Sequence, residues 1–181
     1  AFSLVIMGER EMIAARDPHG FRPLCLGRLD GAWVVSSETC AFDLIRADYV
    51  RDVEPGEVVV IDGNGIRSIR YVDPSHERAF CIFEHVYFAR PDSVLMGGFV
   101  SETRKRMGRE LARLHPVEAD IVIPVPDSGN YAAQGFSEES GIPFEQAFVR
   151  NHYIGRTFLQ PTQLIRDFNV RVKLNLIREM I

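Results

Sequence analysis

The stretch Asp120–Val149 reads D-I-V-I-P-V-P-D-S-G-N-Y-A-A-Q-G-F-S-E-E-S-G-I-P-F-E-Q-A-F-V. Two continuous apolar segments, Asp120–Val125 and Phe144–Val149, flank a segment with helical spacing, Ser128–Ser140. Gly141 suits the position just after that helix. Because a buried strand, a helix and a second buried strand follow one another, the stretch predicts neighbouring parallel strands of an α/β sheet.

The turn 124–129, P-V-P-D-S-G, follows the first apolar strand. In an open parallel sheet, ligands bind beyond the carboxyl ends of the strands. Asp127 and Ser128 would lie there, at a helix N-terminus whose N–H groups and dipole favour anions. A serine hydroxyl can also ligate Mg²⁺ that a phosphate carries. The alternative is that Asp127 or Ser128 only caps the helix, and the two roles are compatible.

The loop Arg150–Pro161 reads R-N-H-Y-I-G-R-T-F-L-Q-P and follows the second apolar strand. Two arginines and a glycine hinge suit a lid that closes over an anionic ligand. Arg156 is the best anion ligand in it, since a guanidinium matches phosphate bidentately. Tyr153, Phe158 and Leu159 could pack the lid down. An ordinary surface loop is the alternative.

A longer helix is predicted before this region, from a cap at Ser101 to about His115. The inward side chains of the two helices would be Met107, Leu111 and Leu114, and then Ala132, Ala133 and Phe136. Two parallel strands cannot close a doubly wound domain. The tail Lys173–Arg178 therefore has no predicted partner, and the chain either folds differently or is a fragment of a longer protein.

Residues 1 to about 75 predict an antiparallel-rich sheet region. Turn formers separate short β-prone runs, which are Phe2–Met7, Met12–Arg16, Leu24–Gly27, Ala32–Ser36 and Glu57–Ile61. The sequence D-G-N-G predicts a hairpin between Val58–Ile61 and Ile66–Tyr71, and a short helix fits Glu38–Ile45. We place the domain boundary in the polar connector Tyr71–Glu77. The predicted domains are 1–75 and 76–181, an α+β region followed by an α/β region.

The composition excludes several classes of protein. Of the 181 residues, 46% are hydrophobic and 25% charged, as in ordinary globular proteins. The net charge of −4 gives no basic field for nucleic acid, and no apolar run approaches the roughly 18 residues of a membrane span. The three cysteines form no C-x-x-C pair, which indicates a reducing compartment. The five histidines show no paired metal-ligand spacing.

The run R-D-P-H-G-F-R-P-L, which starts at Arg16, combines turn formers with charge. Arg16, Asp17 and Arg22 could form a buried ion-pair network, which favours a structural role for this run. Phe83 and Tyr87 lie four residues apart in a segment whose pattern predicts an extended or irregular chain. Taken singly, these two rings are expected in the core.

Together, these motifs resemble one family. R-D-P-H-G-F-R-P-L, S-S-E-T-C-A, F-E-H-V-Y-F-A-R-P-D-S, P-V-P-D-S-G and R-N-H-Y-I-G-R-T-F-L-Q-P look like glutamine phosphoribosylpyrophosphate amidotransferase (amidophosphoribosyltransferase). The resemblance covers nearly the whole chain in the family's order, and Y-F-A-R-P-D-S with Y-x-G-R-T-F is highly specific. It implies the later part of an N-terminal nucleophile (class II) glutaminase domain, then the opening part of a type I phosphoribosyltransferase parallel-sheet domain.

The resemblance also implies an activity of de novo purine synthesis. Ammonia released from glutamine crosses an apolar channel and attacks C1 of phosphoribosyl pyrophosphate (PRPP), which gives 5-phosphoribosylamine and pyrophosphate. Apolar walls keep neutral ammonia from bulk water and from protonation. The implied ligands are PRPP, glutamine, Mg²⁺ and purine nucleotides as feedback ligands. We expect a cytoplasmic homo-oligomer with no nucleic-acid and no membrane partner.

Individual residues match positions of the family's synthase site. Tyr153 and Arg156 match the tyrosine and arginine that act as the flexible loop closes over PRPP. The same loop includes three further positions, which are Arg150, Asn151 and Gly155.

Other matches concern ammonia and metals. The channel would be lined by Phe83, Tyr87, Tyr153 and Leu159. Ser128 matches the hydroxyl that ligates Mg²⁺. Cys81 matches a ligand of a 4Fe–4S cluster in the cluster-bearing branch of the family, and a plain buried cysteine is the alternative.

Two features of the family are missing from the sequence. The family begins with a catalytic cysteine, whereas this chain begins with Ala1, and the PRPP loop with D-D-S and R-G-T-T is absent. We therefore expect a fragment that by itself hydrolyses no glutamine and makes no phosphoribosylamine. One alternative is a non-catalytic PRPP-binding regulator with a phosphoribosyltransferase fold, although a sensor has no use for an ammonia source. Another is a different class II amidotransferase such as asparagine synthetase, whose S-G-G-x-D-S type of loop P-V-P-D-S-G does not resemble.

Overall fold

The computed structural model describes residues 1–73, 77–155 and 157–181. These residues form two compact units, Ala1–Ser101 and Glu102–Ile181. Residues 77–101 belong to the first unit because backbone hydrogen bonds attach them to its early part. The N–H of Ala79 donates to the His19 carbonyl at 2.8 Å, and that of Cys81 to the Phe21 carbonyl at 3.1 Å. The domain boundary at 75/76 differs from this division and stays a prediction.

Two antiparallel sheets build the first unit. The first sheet has the order β1–β2–β6–β7, and its strands are Ser3–Met7 (β1), Glu11–Arg16 (β2), Glu57–Asp62 (β6) and Gly65–Arg70 (β7). The second has the order β4–β3–β5, and its strands are Cys25–Leu29 (β3), Ala32–Ser36 (β4) and Asp48–Asp52 (β5). The predicted strands are present, and β5 is an additional one that its charged sequence D-Y-V-R-D concealed.

The hairpin between β6 and β7 has the predicted turn. Asp62 pairs with Gly65, so Gly63 and Asn64 are the two turn residues. The N–H of Asn64 donates to the Asp62 carboxylate at 2.8 Å. This side-chain contact stabilises the turn locally, which is why the sequence alone located it.

The core of the first unit collects apolar side chains from both sheets. Its buried members are Ala14, Leu24, Leu26, Val53 and Val59, and the partly buried Trp33, Val35 and Ile61 pack around them. Alternation along β2, β3 and β6 turns one face of each strand towards this cluster. The predicted short helix is present as Cys40–Ile45 (α1) and buries Phe42.

The segment after Cys81 forms a π-helical turn, Glu84–Phe88. The N–H of Ala89 closes it on the Glu84 carbonyl at 3.0 Å. The prediction of an extended or irregular chain here was wrong, because the i→i+5 hydrogen bond follows a period that the sequence pattern does not display. A small hairpin of β8 (Val94–Leu95) and β9 (Gly98–Phe99) comes next.

Two helices, Val100–Leu114 (α2) and Asn130–Ser140 (α3), pack through small residues. A Cβ atom at Gly108 would lie 1.9 Å from the Ala132 carbonyl oxygen, and one at Gly135 would lie 1.9 Å from that of Lys105. The predicted inward stripe of α2 was wrong, since Leu111 and Leu114 are exposed. Backbone contact at the glycines decides the buried face.

Charged side chains reinforce the contact between these two helices. Arg109 and Lys105 of α2 both contact Glu138 of α3, at 2.7 and 3.2 Å. Arg113 pairs with Glu139 at 2.8 Å. α2 begins at Val100, so the predicted cap Ser101 lies inside it. Gly141 terminates α3 in the left-handed conformation, as expected, with φ = 73°.

The second unit is a mixed α/β arrangement. Val122 and Phe144, from the two predicted parallel strands, form a single parallel bridge. The second of these strands is shorter than predicted and pairs antiparallel with the tail. The elements involved are β10 (Phe148–Arg150), α4 (Gln163–Lys173) and β11 (Leu174–Leu176). The tail therefore has a partner, contrary to the prediction for Lys173–Arg178, because β11 satisfies the hydrogen-bonding groups of β10.

The described helices are short, and the longest, α2, has 15 residues. Within residues 1–73, 77–155 and 157–181, no helix has the length and apolar character to cross a membrane.

Candidate functional site

The turn 124–129 leads directly into α3, and both predicted site residues on it are exposed. Gly129 rather than Asp127 or Ser128 is the N-cap residue, and it makes no side-chain cap hydrogen bond. Neither Asp127 nor Ser128 therefore caps the helix with its side chain. The peptide bond between Pro126 and Asp127 is cis. The turn presents a carboxylate and a hydroxyl at the start of a helix, where an anion or its metal would bind.

Asp127 forms an ion pair with Arg150, whose Nη1 donates to the carboxylate Oδ2. Arg150 ends β10 and begins the loop 150–161. The structure thus joins the strand-end turn to the base of the predicted lid, two pieces that the sequence placed 23 residues apart. Among the described residues, Nε of Arg150 and Oδ1 of Asn130 are buried without a hydrogen-bond partner. These two polar atoms leave hydrogen-bonding capacity beside the turn.

The first part of the loop is held by local contacts and by Lys173. The Asn151 side chain accepts from the Tyr153 N–H at 3.0 Å. Lys173 Nζ donates to the Gly155 carbonyl at 3.0 Å, and the Lys173 carbonyl accepts from the Asn151 N–H at 2.7 Å. Sequence reasoning missed Lys173, because nothing in a basic residue 18 positions beyond the glycine signals this contact. Lys173 ties the loop to the end of α4.

The aromatic and apolar side chains of the loop point away from the unit. Tyr153 is 98% exposed, and Phe158 and Leu159 are about two-thirds exposed. The prediction that these three side chains pack the loop down was wrong, because all three are largely exposed to solvent. Arg156, the predicted anion ligand of the loop, lies outside the described residues.

Phe83, which precedes the π-helical turn, and Tyr87, which lies within it, are half-exposed, at 57% and 58%. The expectation that each ring belongs to the core was wrong, because the π-helical turn directs both towards solvent. They lie in the first unit, whereas Tyr153 and Leu159, the other predicted channel residues, lie in the second. The channel itself stays a prediction.

Two acidic residues that sequence reasoning missed hold the turn and the residues just after it. Glu84 is buried and pairs with Arg22 at 2.7 Å, and the Arg22 guanidinium also lies 4.6 Å from the centroid of the Phe88 ring. Glu38 accepts from the Arg90 N–H at 2.8 Å and from the Ser93 hydroxyl at 2.7 Å. The three motifs of the first unit therefore meet around Glu84–Phe88, and a cavity of about 390 Å³ lies beside them.

Arg16 and Asp17 bind backbone groups rather than forming the predicted ion-pair network with Arg22. The Arg16 guanidinium donates to three carbonyls, those of Gly20, Arg22 and Val53. The Asp17 carboxylate accepts from two N–H groups, those of His19 and Phe21. The side chains satisfy the buried polar backbone of the turn, so its role is structural, as predicted.

The sequence predicted metal ligands of two kinds, oxygen atoms for Mg²⁺ and a thiol for an iron–sulfur cluster. The oxygen atoms of Asp127 and Ser128 are of the type that Mg²⁺ prefers. Cys81 is half-buried and has a free thiol. The described part of the chain contains no group of three or more histidine, cysteine or acidic residues that could hold a metal ion. A 4Fe–4S cluster needs four ligands, of which Cys81 would supply one, so the cluster stays a prediction.

Comparison with known proteins gives the family. No family model matches the chain. The amidophosphoribosyltransferase of Mycobacterium tuberculosis is 52% identical over all 181 residues, and the chloroplastic one of Glycine max is 55% identical over 177 residues. This chain belongs to the amidophosphoribosyltransferase family. It spans about a third of the length of these curated relatives, 34% and 31% respectively.

Solved amidophosphoribosyltransferase structures have the same fold. The glutamine PRPP amidotransferase of B. subtilis, solved with ADP and GMP, superposes with a TM-score of 0.88 at 47% identity. The match covers 99% of this chain and 39% of that chain. A structure described as the allosteric regulatory enzyme of purine biosynthesis gives a TM-score of 0.87, and 98% of this chain is covered. The chain, which combines helices with β-sheets, therefore has the fold of known amidophosphoribosyltransferases.

Proposed function

We propose that the protein containing this chain is a glutamine-dependent amidophosphoribosyltransferase of de novo purine synthesis. It converts PRPP, glutamine and water into 5-phosphoribosylamine, glutamate and pyrophosphate. The observation that carries the proposal is the 52% identity to the M. tuberculosis enzyme over every residue of the chain. At this level of identity the motifs around Glu84–Phe88 and the loop 150–161 are expected to keep their chemistry.

In this proposal the two units contribute to different domains. The antiparallel sheets of the first unit belong to an N-terminal nucleophile (class II) glutaminase domain. The second unit opens a type I phosphoribosyltransferase domain, an assignment that the parallel bridge Val122–Phe144 and the turn preceding α3 support. The glutaminase cleaves the C–N bond of the glutamine amide, and the released ammonia displaces pyrophosphate from C1 of PRPP.

The exposed turn and loop of the second unit form the PRPP side of the site. Ser128, with Asp127 beside it, would hold Mg²⁺, and the metal would supply positive charge to a departing pyrophosphate. Arg150 exchanges its ion pair with Asp127 for contacts to a phosphate, since a guanidinium binds either anion bidentately. Tyr153 and the residues Asn151 and Gly155 move with the loop as it closes and excludes water.

Phe83 and Tyr87 form one part of the ammonia passage, and Tyr153 and Leu159 another. Their exposure leaves part of each side chain free to line such a path. Apolar walls keep ammonia unprotonated, and only the unprotonated form is a nucleophile. The cytoplasmic location, the homo-oligomer and feedback by purine nucleotides belong to the same proposal. The B. subtilis relative with ADP and GMP supports the nucleotide ligands, while the Glycine max relative is chloroplastic by name.

The test is an assay of the full-length purified protein. We expect glutamate release from glutamine, and formation of phosphoribosylamine from PRPP with either glutamine or an ammonium salt as the nitrogen source. Both syntheses should require Mg²⁺. A protein that binds PRPP and forms no product with either nitrogen source would support the non-catalytic regulator instead.

A further inference from the structure

Arg22 contacts both ends of the π-helical turn Glu84–Phe88. Its Nε lies 2.7 Å from Oε1 of Glu84, the first residue of the turn. Its guanidinium carbon lies 4.6 Å from the centroid of the ring of Phe88, the last residue. One side chain therefore spans the turn through an ion pair at one end and a cation–π contact at the other.

Glu84 depends on Arg22 for its charge. The Glu84 side chain is 3% exposed, whereas that of Arg22 is 45% exposed. Burial raises the pKa of the Glu84 carboxyl, and the Arg22 charge opposes that rise. A buried carboxylate that loses its cation must either protonate or move to water. Either response would shift the first residue of the turn.

The residues after the turn are held by hydrogen bonds, whereas the rings of Phe83 and Tyr87 are partly exposed. After the turn, Glu38 fixes Arg90 and Ser93 through hydrogen bonds of 2.8 and 2.7 Å. Phe83 and Tyr87 have their rings half in solvent. Both rings contact the ring of Phe88, with centroid distances of 6.1 Å for Phe83 and 5.8 Å for Tyr87. Their direction therefore depends on the turn and on the Phe88 ring, over which Arg22 lies.

We propose that Arg22 is a positioning residue, which holds the turn so that Phe83 and Tyr87 face the ammonia passage. The inference rests on the proposed function. Arg22 touches neither substrate nor the reacting atoms. It acts through the turn, so its loss should release ammonia to solvent without impairing either reaction by itself.

The experiment measures three activities of the full-length protein with Arg22→Gln. We expect glutamine-dependent phosphoribosylamine synthesis to fall about tenfold, as for a small displacement of a positioned group. Glutaminase and ammonia-dependent synthesis should stay within about twofold of the wild type. The ratio of glutamate released to phosphoribosylamine formed would rise accordingly. Arg22→Lys keeps the charge beside Glu84 but not the planar stacking on Phe88, so it should uncouple to an intermediate degree.

The matched control is Arg28→Gln. Arg28 stacks on Trp33 at 4.5 Å in the same unit and is likewise an arginine over an aromatic ring, but it does not contact the turn. In this control variant, the ratio of glutamate released to phosphoribosylamine formed should equal that of the wild type. A parallel loss of all three activities in the Arg22 variants would mean that Arg22 is only structural. If the ratio of glutamate released to phosphoribosylamine formed stayed unchanged in Arg22→Lys and Glu84→Gln, the inference would be refuted.

A double-mutant cycle with Arg22→Gln and Glu84→Gln tests the contact without any activity. Thermal unfolding should show that the double variant is more stable than additive single effects predict, because removal of both charges leaves none unpaired. Strict additivity would contradict the contact. Absence of glutaminase and ammonia-dependent synthesis in the wild-type protein would instead contradict the proposed function. The double-mutant cycle would still test the ion pair, because thermal unfolding requires no activity.

Discussion

At the scale of single residues, Glu57 is the most strongly bound carboxylate of the first unit. Arg51 donates to both of its oxygens, at 2.9 and 2.7 Å, and Ser68 donates at 2.5 Å. The Glu54 N–H donates at 2.7 Å. Burial by itself would raise the pKa of Glu57, but these four donors outweigh it and lower the pKa to about 2.

Glu57→Gln should therefore destabilise the first unit at neutral pH and matter less in acid. The folded-state pKa of about 2 lies below the ordinary 4.5, so the stabilisation is complete above about pH 4.5 and is lost as the pH falls towards 2. Loss of the carboxylate removes charge-assisted hydrogen bonds from Arg51, whose side chain is partly exposed, and weakens those from Ser68 and the Glu54 N–H, at a cost of roughly 2 kcal/mol at pH 7. Urea unfolding of the wild type and the variant at several pH values measures the difference.

Glu54→Gln provides the comparison for that measurement. Glu54 also pairs with an arginine, Arg78 at 2.9 Å, but both side chains are exposed. Its removal should cost less than about 1 kcal/mol. Equal effects of the two substitutions, or a Glu57 effect that persists unchanged at pH 2, would show that the hydrogen bonds to Glu57 are not the cause.

The three thiols should differ in reactivity because they differ in burial. Cys25 is buried, which raises its pKa to about 12, and burial also raises the pKa of Cys40. Cys81 is half-buried. A thiol reagent such as Ellman's reagent at pH 8 should modify Cys81 first in the folded chain, and all three in denaturant. A Cys81→Ser chain that still reacts rapidly when folded would contradict this order.

At the scale of elements, the contact between α2 and α3 depends on two glycines. Gly108→Ala adds a helix former, which alone would stabilise α2 by about 1 kcal/mol. However, the added Cβ would lie 1.9 Å from the Ala132 carbonyl oxygen, an atom of a helix backbone that cannot move cheaply. We expect a net loss of about 2 kcal/mol or more, measured by thermal or urea unfolding.

Gly98→Ala is the control for that substitution, since a Cβ there would meet no atom within 4 Å. It should change the unfolding free energy by less than about 1 kcal/mol. If Gly108→Ala proved as stable as the wild type, α2 and α3 would have to be farther apart than the structure places them.

At the scale of the whole molecule, the proposed enzyme links two reactions, and Arg156 tests the link. Arg156 lies outside the described residues, so the prediction rests on the motif Y-I-G-R-T-F. Arg156→Ala should lower PRPP-dependent synthesis about a hundredfold, because a charge that stabilises the transferring group is lost. Basal glutaminase should remain largely intact, and its stimulation by PRPP should be lost. Equal loss of both activities would show that Arg156 is structural.

The places of several candidate residues in the fold were predictable where the sequence signal is local. Asp127 and Ser128 were located from a strand end followed by a helix, and the D-G-N-G hairpin from its turn residues. The partners of these residues were not predictable in the same way. Glu84, Glu38 and Lys173 contact residues that lie 18 to 62 positions away in the sequence. Contacts over such separations cannot be read from the local periodicity of the sequence.

The sequence by itself determined most of the antiparallel strands and turns of the first unit, the C-terminal end of α3 and the family. These features depend on turn geometry, on alternation and on motifs, all of which are local. Only the tertiary structure decided which face of α2 is buried, where the tail pairs and how Glu84–Phe88 is fixed. Close backbone approach at Gly108 and the pairing of a buried carboxylate with Arg22 are properties of segments brought together by folding.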